Sequence, residues 1–384
     1  MSNTTCASPQ ESLANSSFDG SIAFVLGTRP EIVKLAPVAS QFPDTARVAY
    51  TGQHYDAALS DIFFAECGLR LPDARLEVGG RSRGAQIGCA TDALDRLFAR
   101  QRPAAVVVQG DTNATLAGAL AANAHGIPLV HVEAGLRSHD RAMPEEHNRV
   151  MVDHLADLLC AATPGNVANL LAENIDAARI VQTGNTVVEA VHRHLPAPER
   201  RTKLLADLGV ESGRFVLTTV HRPENTDDAA VLGTVLGELA RIADAGWPVL
   251  FPMHPRCRAA ATRAGHGGLL ARLLVTDPIG YGDFLALAAE AALIVSDSGG
   301  VQEEVTVLGR PLVVVRNSTE RPESLAHFAA LVDPGPEIGR TARALLADVP
   351  AIRRQLAGRP SPFGTSQAGA LIAAATRALL TDRT

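Results

Sequence analysis

The sequence is poor in several features that would each point to a function. Aromatic residues make up 4% of the 384 positions, with a single tryptophan, and of the 35 basic residues only Lys34 and Lys203 are lysines. The formal charge of -6, the pI of about 6.1 and the lack of any dense basic run argue against nucleic acid or an anionic membrane as the main partner. The five cysteines, Cys6, Cys67, Cys89, Cys160 and Cys257, are odd in number, widely spaced and without a CxxC or Cys/His cluster. That pattern predicts a reducing cytoplasm, no disulfide framework and no metal site. No uncharged apolar run reaches the length that spans a bilayer. The start, MSNTTCASPQESLANSSFDG, has no basic region followed by an apolar one, so residues 1–20 read as a disordered tail rather than a secretory signal. GxGxxG is missing too, which argues against a dinucleotide fingerprint and against NAD as a cofactor.

What remains is ordinary globular composition, 46% apolar and 20% charged, in a chain longer than one hydrophobic core usually serves. Apolar, β-branched runs alternate with helical patterns along the whole length, as βαβ units of parallel sheets do. The alternation pauses at the proline-containing segment from His194 to Arg201 and then restarts. The expected organisation is α/β with two Rossmann-like domains, residues 21–193 and 194–365, facing a central cleft. A last helix follows in residues 366–384.

The most informative stretch runs from Gln109 to Arg149. A strand at Ala104–Val108 leads to Gly110-Asp111, and a second at Pro128–Val132 runs straight into Glu133. Ligands of open α/β sheets bind outside the carboxyl ends of the strands, so both acids belong at one rim. Asp111 alone could be a helix N-cap, but an acid extending an apolar strand needs a paired or catalytic job. Pro144-Glu145-Glu146 suits a helix start, and Glu145 and Arg149 then lie one turn apart on one face. Three acids with an arginine beside one of them suit proton transfer.

Other strand ends carry groups suited to anions. Gly27-Thr28-Arg29 opens a helix that bears Lys34, and His221-Arg222 ends a strand of the second half. Ser298, Gly299 and Gly300 lie between a strand and a helix, where backbone N–H groups can cradle a diphosphate. Glu304, further along that helix, could accept two ribose hydroxyls.

Taken together, GTRPEIVKLAPV, GDTNATLAGALAA, HVEAGLRS, MPEEHNR, HRPEN, SDSGGVQEE and STERPE resemble, in order over roughly residues 21–380, the non-hydrolysing UDP-N-acetylglucosamine 2-epimerases. The resemblance implies a glycosyltransferase-B-like fold, a last helix that crosses back to the first domain, a homodimer, and neither NAD nor a catalytic metal. It implies interconversion of UDP-GlcNAc and UDP-ManNAc by loss of UDP to a 2-acetamidoglucal and re-addition with inversion at C2. Asp111, Glu133 and Glu145 then take the acid/base positions, supported by Arg149 and His221. Arg29 and Lys34 lie near phosphate, Phe284 near uracil, Ser298, Gly299 and Gly300 at the diphosphate, and Glu304 at the ribose, with Arg321 also in the nucleotide site. Two places depart from members that bind a second UDP-GlcNAc as activator: Gln53-His54-Tyr55-Asp56, and Pro223 where those members carry arginine. TGQHYD with SDIFF is also similar to relatives acting on 2,3-diacetamido uronic-acid sugar nucleotides.

Overall fold

A computed structural model describes residues 10–11, 17–52 and 57–382. The expected tail falls mostly outside them, as do Gln53-His54-Tyr55-Asp56. Its end is not loose, however. Phe18 is buried in the core because it packs with the apolar faces of the neighbouring strands and helices, and the Gly20 amide donates to the Arg102 carbonyl.

The chain divides into two compact units, one formed by the residues through Ala190 together with those from Phe363 onward, the other by Val191–Pro362. The first holds strands β1 (Gln10–Glu11), β2 (Ile22–Leu26), β3 (Ala46–Tyr50), β4 (Ala74–Arg75), β5 (Ala105–Gln109), β6 (Leu129–Ala134), β7 (Leu158–Ala161) and β8 (Ile180–Gln182). Their order is β1-β4-β3-β2-β5-β6-β7-β8, parallel apart from the short β1. IAFVL of β2 and AVVVQ of β5 are buried at every position, as strands covered on both faces should be. The order reverses at β2/β5, the switch point beside which ligands collect in doubly wound sheets.

The second unit repeats the plan with β9 (Val216–Thr219), β10 (Val249–Pro252), β11 (Leu274–Thr276), β12 (Leu293–Ser296), β13 (Leu312–Val315) and β14 (Ala329–Val332). Its parallel order, β11-β10-β9-β12-β13-β14, puts the switch point at β9/β12. The fold class is therefore α/β with two doubly wound parallel sheets.

The last helix, Ala368–Thr381, belongs to the first unit. Gly369 N donates to Glu189 Oε1 at 2.7 Å, Asn185 N donates to the carbonyl of fully buried Phe363, and the Arg377 guanidinium stands 4.6 Å over the Phe42 ring.

Two local expectations change. The helix that starts at Pro144 ends at Leu155, although a helical pattern in the sequence continues through Leu159. Asp157 stops it by exchanging hydrogen bonds with Leu129, N to O at 2.8 Å and Oδ2 from N at 2.9 Å, which starts β7 at Leu158. Cys89 is disulfide-bonded, whereas the cysteine pattern predicted no disulfide framework. No helix among the described residues is long and apolar enough to cross a membrane.

Candidate active site

In the first unit, the strand ends around β2, β5 and β6 hold a continuous polar network. Glu133 is its centre. It lies inside β6 rather than after it, with the backbone left-handed at φ 64° and the register against β7 shifting between Val132 and Ala134. A non-glycine residue held there costs about 1–3 kcal/mol, and such strain concentrates at functional positions. The bulge turns the carboxylate into the network, where it is 4% exposed and accepts from Lys34 Nζ, Gln109 Nε2 and Asn185 Nδ2.

Lys34 lies in the buried part of its helix, and its ammonium neutralises Glu133. Arg29, at the helix start, is partly exposed with its guanidinium 3.9 Å from the centre of the Phe63 ring.

Asp111 follows β5 after Gly110 and is held from two sides. Arg149 forms an ion pair with its carboxylate, and Asn148 Nδ2 donates to its carbonyl at 2.8 Å. The helical pairing differs from the one the spacing suggested: Arg149 is paired with Glu146, three residues back, while Glu145 is exposed at the first turn. Glu146 is buried because the loop before the helix folds onto it, the amides of Ser138 and His139 donating at 3.0 and 2.8 Å and the Ser138 hydroxyl at 2.8 Å. Burial works against its charge, yet these amides and Arg149 outweigh it and hold Glu146 below the usual carboxylate range.

Glu31 is a further buried acid. It accepts from the amides of Gly27 and Thr28 at 3.0 and 2.7 Å and from the hydroxyls of Thr112 and Thr115 at 2.9 and 3.2 Å, so it ties the β2 loop to the β5 loop across the switch point. Burial raises its pKa to about 6 despite these donors.

The second unit carries its own set at β9/β12. Asp297, fully buried at the end of β12, accepts from the amides of His221 and Arg222 at 3.0 and 2.9 Å and from Asn225 Nδ2 at 3.0 Å. His221 Nδ1 lies 2.9 Å from the same carboxylate, with the ring about half exposed. Burial disfavours the charge of Asp297, but His221 and the amides hold it below the usual range. A carboxylate on Nδ1 directs Nε2 away from it, the arrangement of an oriented acid/base imidazole.

Ser298 stands at the N-cap position of the helix Gly299–Leu308 without a side-chain capping bond, and Gly300 has open space where a Cβ would stand. Gly299 answers to a different constraint. A Cβ there would come within 2.7 Å of Arg321 Nη1 and 2.9 Å of Glu320 Oε1. Arg321 itself is buried and ion-paired with Glu303 and Glu320. Glu304 is buried one position on from Glu303, and Phe284 is partly buried against the core of the same unit.

Sequence reasoning missed Glu31, Glu146 and Asp297. Asp297 carried a readable signal, since it follows an apolar strand directly, as Asp111 nearly does. Glu31 carried one too, since Thr28-x-x-Glu31 is a capping-box spacing, but its bonds to Thr112 and Thr115, like those of Glu146 to Ser138 and His139, come from loops that spacing does not reveal.

Acids and cations gathered at the switch points of two doubly wound sheets stand where α/β proteins of this architecture place their ligand sites. The comparisons narrow this to one group. The family profile described as UDP-N-acetylglucosamine 2-epimerase matches residues 40–377. A UDP-N-acetylglucosamine 2-epimerase of Methanococcus maripaludis is 39% identical over 311 residues, 79% of this chain and 85% of that one. A UDP-2,3-diacetamido-2,3-dideoxy-D-glucuronate 2-epimerase of Pseudomonas aeruginosa is 37% identical, over 78% of this chain and 84% of that one. The crystal structure of Methanocaldococcus jannaschii UDP-GlcNAc 2-epimerase in complex with UDP-GlcNAc and UDP superposes with a TM-score of 0.82 at 34% identity, covering 94% of this chain and 99% of that chain. This chain belongs to the UDP-N-acetylglucosamine 2-epimerase family and is an isomerase.

Proposed function

We propose that the protein interconverts UDP-GlcNAc and UDP-ManNAc. The observation that supports this best is Glu133, a buried carboxylate on a strained strand end beside Asp111, held by one ammonium and two amides. A C2 proton is only weakly acidic, so its removal wants a positioned carboxylate base and a proton donor on the other face. One carboxylate takes the C2 proton, the C2–H electrons form the C1=C2 bond, and the C1–O bond breaks with its electrons passing to UDP. Re-addition of UDP and protonation from the opposite face complete the inversion. The steps are redox-neutral and balance without a hydride acceptor.

Asp111, Glu133 and Glu145 are assigned to proton transfer, with Arg149 and His221 in support. Ser298, Gly299, Gly300, Glu304, Phe284 and Arg29 are assigned to the nucleotide. The enzyme is taken to act as a homodimer, as the family resemblance implies, in the reducing cytoplasm that its cysteine pattern suggests.

Proton NMR in deuterated water with UDP-GlcNAc alone tests the reading. Appearance of UDP-ManNAc carrying deuterium at C2 is expected, whereas free ManNAc or an unchanged spectrum contradicts it. The 37% identity to a diacetamido-uronate epimerase supports a second reading, in which C3 and C6 of the substrate are modified. Turnover of that sugar nucleotide and not of UDP-GlcNAc would select it.

A further inference from the structure

A second buried network in the first unit is tied to the backbone that carries Glu133 and Asp111. Asp153, fully buried in the third turn of the helix Pro144–Leu155, is bound to His131 Nδ1 at 2.6 Å, to Arg137 Nη1 at 2.7 Å and to the Gly135 amide at 3.1 Å. The other ring nitrogen of His131, Nε2, meets the Gly110 carbonyl at 2.8 Å. Arg137 continues the chain outward to Glu173, which is partly exposed.

The places these bonds reach are what matter. His131 and Gly135 stand two residues before and two residues after Glu133, so Asp153 grips both ends of the bulge that holds Glu133 at positive φ. Gly135 is itself at φ 82°, with the Asn166 carbonyl oxygen only 2.4 Å from where a Cβ would lie, so the bulge leaves in a single direction. Gly110 precedes Asp111, and its carbonyl is pinned by the same histidine. Both ring nitrogens face oxygens, one a carbonyl that can only accept, so the ring is fixed in orientation from both sides.

We infer that Asp153, acting through His131 and the Gly135 amide, is a positioning residue that sets Glu133 and Asp111 at once, so that the two strand ends keep one mutual geometry. The inference rests on the assignment of Asp111 and Glu133 to proton transfer. Misplacing a reacting group by about 1 Å through a remote change costs on the order of 100-fold in rate.

The test uses the full-length protein with whichever UDP-sugar the wild type turns over. Asp153→Asn keeps the shape and removes the charge, and is expected to lower kcat about 100-fold with KM changed less than about threefold. His131→Gln should fall similarly, and the double variant should be little worse than either, because both act through one linkage. Glu173→Gln cuts the outer end of the network and leaves the bonds to His131 and Gly135 in place. It should lower the melting temperature while kcat stays within about twofold. If Asp153→Asn and Glu173→Gln lose melting temperature alike and both keep near-normal kcat, the network is scaffolding and the inference falls. Additive losses in the double variant would overturn it as well. Failure of the wild type to turn over any UDP-sugar would count against the proposed function instead, and the two failures are told apart on that point.

Discussion

Replacing Lys34 by methionine examines the centre of the site. The Lys34 and Glu133 side chains are 5% and 2% exposed, so solvent screens their attraction little. Methionine keeps most of the apolar stem while leaving the Glu133 carboxylate to the amide donors of Gln109 and Asn185. Breaking a buried ion pair by removing one partner costs about 3–5 kcal/mol. For a domain of this size each kcal/mol moves the melting temperature by about 2–4 °C, so a drop of roughly 6–20 °C is expected by calorimetry. Adding Glu133→Gln removes the stranded charge and should return most of the loss, a coupling of about 2 kcal/mol or more in a double-mutant cycle. A Lys34→Met variant as stable as the wild type, or strictly additive losses, would refute the claim that this lysine neutralises a buried carboxylate.

Further outcomes follow from the same geometry. Asp111→Asn and Glu133→Gln should each cut turnover by about 100-fold or more while calorimetric titration still shows UDP binding; near-normal rates in both remove them from the proton-transfer step. Glu31, whose folded pKa of about 6 lies above its unfolded 4.5, favours folding fully below pH 4.5 and loses that contribution as pH rises through 6. This amounts to about 2 kcal/mol, and the pH slope of urea stability across that window should flatten in Glu31→Gln. Gly300→Ala should leave the melting temperature unchanged and raise KM, because only open space meets its Cβ, whereas Gly299→Ala should also destabilise by pushing Arg321 away from Glu320.

Much of this was readable from the chain alone. Parallel strands show in β-branched runs, and the strand-end rule assigns Asp111 and Glu133 to one rim. What escaped was whatever depends on a partner distant in sequence. Lys34 lies 99 residues from Glu133, and its neighbours TRPEI advertise an anion site more loudly than an internal ion pair. The pair Glu145 and Arg149 has ideal helical spacing, but Glu146 wins the arginine because the Ser138 and His139 amides already hold it there. The end of the helix at Leu155 escaped for a related reason, since DHLADLLCAA stays helical in pattern and only the Asp157–Leu129 pairing turns it into a strand.

The return of the chain to the first unit at Phe363 has a consequence for synthesis. Everything from Val191 to Pro362 must be translated before the segment that covers Pro37, Phe42 and Glu189 exists. At about 5–20 residues per second that is a wait of roughly 10–35 s on the ribosome. For that interval the first unit is complete in sheet and incomplete in surface, with the binding place of buried Phe363 open to water. Ribosome-stalled chains ending at residue 362 should therefore be cleaved by protease in the first unit faster than full-length protein. Equal resistance would mean that this unit closes without its final helix.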